Sequence, residues 1–221
     1  MCTCSAAALS PGPRAKPRPI SFLPTNSTML DLQHYFIKEH VGLFKLHEAY
    51  DIIDPETQEL IGVAIEQASG FRKLLKLVVN KTLLPFEVVL QTPNEQPILR
   101  IKRGFTFLRS KVSVLSADGQ ELGFFRQRLL SLGGRFDLHD ANGEKFAELK
   151  GKWHGLNFRF FDLNDKELGQ VTRKWSGVGK ELFTSADNYV VALEDGTDRR
   201  TIGPLLLAAA LCVDMVLKEN K

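Results

Sequence analysis

The chain closes on TIGPLLLAAALCVDMVLKENK (Thr201–Lys221), and the reading of that stretch decides the fold. Between Leu205 and Leu217 only Asp214 carries a charge. Leu and Ala are strong helix formers, and Pro204 is expected in the first turn, where proline is tolerated. A helix is therefore predicted over about 202–218. A helix that is apolar all round is either a core helix or a membrane span. A span needs about 20 predominantly apolar residues, whereas runs of about 10–14 belong to buried helices. The uninterrupted run here is Pro204–Val213. Some 16 helical residues reach about 24 Å against a hydrocarbon core of about 30 Å. The expectation is a helix inside the protein, with a single-pass membrane anchor as the alternative.

Working outward, the preceding sequence supplies a wall for that helix. Five segments share one plan of strand, short polar turn and strand. They are AYDIIDPETQELIGVAIEQ (49–67), PFEVVLQTPNEQPILRIKR (85–103), KVSVLSADGQELGFFRQRL (111–129), RFDLHDANGEKFAELKGKW (135–153) and NFRFFDLNDKELGQVTRKW (157–175). A sixth is expected to begin at NYVVALEDGTDRRTIG (188–203). The turns at Asp54-Pro55, Asp118-Gly119, Asn142-Gly143 and Asn164-Asp165 suit hairpins, because Asn, Asp and Gly tolerate positive φ. Phe136, Leu138, Phe146 and Leu149 alternate with polar residues, the period of a strand with one buried face. No amphipathic helix long enough for a crossover separates the strands, so the pairing is antiparallel. About twelve strands in an open sheet would leave two long edges, and closure removes them. A ring of twelve is too wide to be filled by wall side chains alone. The prediction is an all-β fold: a closed twelve-stranded antiparallel barrel enclosing the hydrophobic C-terminal helix, with the domain spanning 29–221.

Residues 1–28 read as a proline-rich arm, where five prolines alternate with Arg14, Lys16 and Arg18. Proline at this density opposes both helix and ladder, leaving a solvated tail or an extended ligand for a protein partner. Hydrophobic residues make up 43% and charged residues 25% of the 221, a globular balance. The net charge of +3 is too small to argue for a nucleic-acid partner and is compatible with an anionic membrane surface. Three cysteines (Cys2, Cys4 and Cys212) exclude a disulfide framework, and no acylation motif supports Cys2 or Cys4. No secretory signal precedes the prolines, so a cytoplasmic, membrane-associated protein is expected.

The stretch KWSGVGKELFTSADNYVVAL (Lys174–Leu193) resembles the signature of the phospholipid scramblases, and LPFEVVL (Leu84–Leu90) is similar to a strand of that family. The likeness runs over about residues 30–219. It implies the barrel and central helix shared with tubby-like and LURP-one-related proteins. It also implies calcium-stimulated, ATP-independent movement of phospholipid between leaflets. The family's calcium segment would place Asp187 and Asn188 as ligands. Its first acidic position is Ser185 here and its closing acidic position is Gly196, so calcium dependence is expected to be weakened. Calcium takes six to eight oxygens, several of them carboxylate. The alternative reading of Asp187 and Asn188 is a turn cap. The cysteine cluster that many members use for palmitoylation is missing.

Two basic sets are lipid-binding candidates. Arg72, Lys73, Lys76 and Lys81 flank apolar residues in GFRKLLKLVVNK (70–81) and either rest on anionic headgroups or form a solvated basic edge. Lys150, Lys152, Trp153, Arg173, Lys174 and Trp175 recur at the ends of hairpins and would gather at one rim, where indoles favour membrane interfaces. Their other reading is cation–π packing on the barrel. The five histidines show no metal spacing, and His34, His40 and His47 are expected at surface or rim. Ser176 lacks a nucleophile-elbow motif and no phosphate-binding loop is present, so no enzyme chemistry has a carrier. Two functions remain: a scramblase-type protein at a membrane, or a soluble tubby-like module that binds phosphoinositide or a protein partner without transport.

Overall fold

The computed structural model describes residues 27–40, 49–67, 84–104, 111–128, 135–152, 157–174 and 188–219. A short 3-10 turn (Ser27–Asp31) leads into twelve strands: β1 His34–Glu39, β2 Ala49–Ile53, β3 Leu60–Glu66, β4 Phe86–Gln91, β5 Pro97–Arg103, β6 Lys111–Ser116, β7 Glu121–Gln127, β8 Arg135–Asp140, β9 Lys145–Lys152, β10 Asn157–Asp162, β11 Glu167–Thr172 and β12 Tyr189–Leu193. One helix follows, α1, Arg199–Glu219. Each strand pairs antiparallel with the next, and β1 closes the ring on β12 through Phe36↔Val190 and its neighbours. The expected twelve-stranded antiparallel barrel is therefore the fold.

The count of twelve arises differently from the expectation. The sixth segment does not make a hairpin: β12 runs through a turn directly into α1. Its antiparallel partner is β1, at the far end of the sequence.

The five hairpins repeat one design at one end of the barrel, the turn mouth. The last turn residue takes positive φ each time: Gln58 (61°), Glu95 (61°), Gly119 (90°), Gly143 (83°) and Asp165 (59°). The first polar residue caps the turn, as when Asp140 Oδ1 accepts from the N–H groups of Asn142 and Glu144, both at 2.9 Å. Two residues into the second strand every pair skips a partner, a β-bulge. The extra residues are Ile61, Ile98, Leu122, Phe146 and Leu168. All five are apolar and pack on the core. The bulge explains Phe146 and Leu149: three residues apart, they could not share a face of a regular strand.

The helix fills the ring. Leu205, Leu206, Leu207 and Leu211 are at most 2% exposed and belong to the same cluster as the inward residues of the strands. Each contributes about 2 kcal/mol of burial. Glycines after the bulges let the helix in: a Cβ on Gly123 would stand 3.3 Å from Leu205 and 2.5 Å from the His139 carbonyl, and one on Gly169 3.3 Å from Leu206. No helix among the described residues is long and apolar enough to cross a membrane. Asp198 caps α1, its Oδ1 accepting from the Thr201 N–H at 3.3 Å. The helix therefore starts at Arg199, before the expected 202. Pro204 is its sixth residue rather than a first-turn residue. Arg199 and Arg200 are polar and lie outside the apolar run, which is why periodicity missed that turn.

Candidate functional site

Odd-numbered strands run away from the turn mouth, and α1 runs with them, so its last turns leave at the opposite end, the exit mouth. Here the inward residues change character. The same pleat that buries Tyr35 and Ile37 carries Glu39, opposite Tyr50. β3 ends on inward Glu66, 4% exposed, and β5 on Arg103, 3% exposed. Arg103 donates to the Leu84 carbonyl from Nη2 at 2.8 Å and lies 4.6 Å from the Phe86 ring centroid. Beyond β11, Arg173 Nη2 stands 3.7 Å from Asp214 Oδ1. Asp214 is 1% exposed and is the charge that interrupts the apolar run of the helix.

Tyr189 faces the same pocket of charge. Burial pushes its hydroxyl well above the usual tyrosine range, and the Asp214 and Glu39 carboxylates push it the same way. Among the described residues that hydroxyl finds no hydrogen-bond partner. Burial likewise raises the Cys212 thiol, with the Arg103 charge opposing. Buried ionised groups cost several kcal/mol each unless paired, so this mouth is a place where stability is given up. Sequence reading missed it. The one available signal was Asp214 itself, an acid inside the greasiest stretch of the chain.

The residues expected to act divide as follows. Arg72, Lys73, Lys76, Lys81, Trp153, Trp175 and Asp187 lie outside the described residues. Their flanking strand ends (β3 to β4, β9 to β10, β11 to β12) are at the exit mouth. Lys152 ends β9 and Lys174, exposed, follows β11, so the two share this mouth, about 10 Å apart across β10. Lys150 does not join them: it is held on the outer wall by Asp165 at 3.0 Å and Glu148 at 3.5 Å, over the Phe161 ring. Of the histidines, His34 is half-buried in β1, His40 is exposed and 2.6 Å from Asp51, and His47 lies outside the described residues.

Asn188 is 3% exposed, and Tyr189–Leu193 after it are all buried in the wall as β12. An extended strand advances about 3.3 Å per residue, so Asn188 and Glu194 are about 20 Å apart, at opposite mouths. One ion with oxygens at about 2.4 Å cannot draw on both. Gly196, at the position of the family's closing acid, has φ of 78°, which favours glycine over an acidic side chain. Among the described residues no group of three or more His, Cys, Asp or Glu could hold a metal. Among the described residues of the segment, Asn188 and Glu194 therefore do not share one ion.

A family model described as Scramblase matches residues 8–220. The chain belongs to the scramblase family. The match takes in the whole barrel, α1 and most of the proline-rich arm. No curated protein and no solved structure matches the chain.

Proposed function

We propose that this scramblase-family chain works at a phospholipid surface and promotes ATP-independent movement of phospholipid between leaflets, without calcium. The family match over residues 8–220 is the observation that carries this reading. The charge distribution supports a surface-bound pose. The six turns at the turn mouth (54–59, 92–96, 117–120, 141–144, 163–166 and 194–198) hold ten carboxylates and one lysine. The six sequences that join strand ends at the exit mouth (41–48, 68–83, 105–110, 129–134, 153–156 and 175–187) contain seven Lys or Arg and three carboxylates. An anionic bilayer attracts the second end and repels the first.

The second reading, a lipid-binding module that moves no lipid, is favoured by α1: its apolar face is spent inside the barrel rather than offered to a bilayer. Purified full chain, reconstituted in vesicles with a fluorescent lipid on the inner leaflet and a membrane-impermeant reductant outside, separates the two. Loss of inner-leaflet fluorescence without ATP, equal in calcium and in chelator, supports transport. Vesicle binding with the inner pool protected rejects transport and leaves the module. A response to calcium that disappears in Asp187→Ala would overturn the calcium-free reading.

A further inference from the structure

The outer wall holds a pair of cations that the fold does not explain. The register sets Lys111 of β6 directly opposite Arg126 of β7. Like charges facing each other across a ladder are unfavourable. Elsewhere the wall neutralises such a rung: Asp137 faces Glu148, and both are bridged by Arg128 (3.0 Å to each) and by Lys145 (2.9 and 2.5 Å). At the cationic rung only Lys111 has a carboxylate, Glu121 at 3.3 Å. Among the described residues no carboxylate lies within ion-pair distance of Arg126, and Asp137, its neighbour across β7–β8, is already engaged.

The rung is built rather than loose. Lys111 Nζ is 4.1 Å and the Arg126 guanidinium carbon 5.3 Å from the Phe124 ring centroid. Phe124 is an outward side chain yet only 7% exposed, because His139 stacks on it at 4.6 Å and 6°. The ring therefore fixes both cations from below. Across β6, Ser113 lies opposite Phe124, and Lys102 lies opposite Ser113. One ammonium, one guanidinium fork and one hydroxyl thus stand on adjoining rungs, while the Lys102 ammonium is drawn to Glu87 at 3.1 Å.

We propose that Lys111 and Arg126 over Phe124, with Ser113 beside them, form a docking point for the phosphate of an anionic phospholipid headgroup. The fork of Arg126 matches a phosphate bidentately, and lysine adds a point charge. The location fits the same source. Lys111 opens β6 and Arg126 is the last residue but one of β7, so both sit towards the exit mouth, and engagement turns the acidic turn mouth away from the bilayer. This inference rests on the membrane-surface reading above and names where the surface is touched.

The test is sedimentation of the full chain with vesicles of phosphatidylcholine alone or with about one part in four phosphatidylserine. Arg126→Gln should weaken binding to the anionic vesicles about fivefold, the factor for one cation near such a surface, and Lys111→Gln/Arg126→Gln should weaken it further. Lys166→Gln, the same charge change at the turn mouth, should bind like wild type. Melting of Arg126→Gln should be unchanged or slightly higher, since repulsion is relieved. Equal binding by Arg126→Gln and wild type, equal loss in Lys166→Gln, or a loss that follows a lower melting temperature overturns the site. Wild-type chain that ignores anionic vesicles overturns the membrane-surface reading and the site together.

Discussion

The two mouths of the barrel are made from the same twelve strands and solve opposite problems. The turn mouth is closed by tight hairpins. Each has a capped first residue, a positive-φ last residue and a bulge that aims an apolar side chain at the core. The exit mouth is left by the helix, and its inner rim carries Glu39, Glu66, Arg103, Arg173 and Asp214 beside Tyr50, Phe86 and Tyr189. One end maximises packing. The other keeps buried charge, which stabilises less than hydrocarbon of the same volume would. Local rules suffice for the first; the second depends on residues up to the length of the barrel domain apart.

The strongest way to break the packed mouth is Gly123→Val. Its side chain would meet the His139 carbonyl and Leu205, so the ladder or the helix must shift. A loss of about 3 kcal/mol is expected in urea unfolding, and a loss below about 1 kcal/mol would mean that the helix does not press on the wall there.

At the charged mouth, Arg173→Met withdraws the cation from a carboxylate that is 1% exposed. Roughly 2–3 kcal/mol should be lost, less than for a fully buried pair because Arg173 is partly solvated. Adding Asp214→Asn should restore most of it, and the coupling in a double-mutant cycle measures the pair. Arg173→Met with Asp214→Leu, which replaces both charges by hydrocarbon, should be neutral or stabilising if this mouth retains charge at the expense of stability.

The smallest effect lies on the wall between the mouths. Burial pushes the Asp137 carboxyl up, but Lys145 and Arg128 outweigh it and hold it below the usual carboxylate range. The hydrogen bond from Lys145 does most to hold Glu148 low, against the opposing effect of burial. Folded values below unfolded ones mean stability that is present above about pH 4 and is lost as pH falls through the folded values. For these partly exposed groups the contribution is under about 1 kcal/mol. Lys145→Met should therefore melt slightly lower than wild type near pH 7, with the difference shrinking as pH falls, so that the acid limb of its melting-temperature profile is flatter.

Legibility followed the same division. The hairpins were readable because a turn such as Asp140–Glu144 is decided within five residues. Period two in Phe136 and Leu138 likewise needs no distant partner. The bulges were not read, although all five leave the same trace: an apolar residue beside the one that keeps the alternation, as in Leu122-Gly123 and Leu168-Gly169. The exit mouth was only half visible. Lys152 and Lys174 were expected at one rim and reach it, whereas Lys150 was expected there and is drawn to Asp165 instead. Lys111 and Arg126 passed unnoticed because fifteen residues separate them and only register makes them neighbours.

The sequence by itself determined that the last apolar run is helical and too short to span a bilayer, and that hairpins surround it. These are consequences of local periodicity, turn chemistry and length. Tertiary structure decided the rest: β1 rather than a sixth hairpin closes the ring, β12 takes up the segment that resembles a calcium loop, and Arg173 comes to stand against Asp214. Those outcomes depend on ring closure and strand register, which fix distances between residues remote in sequence and leave no imprint on any one stretch of it.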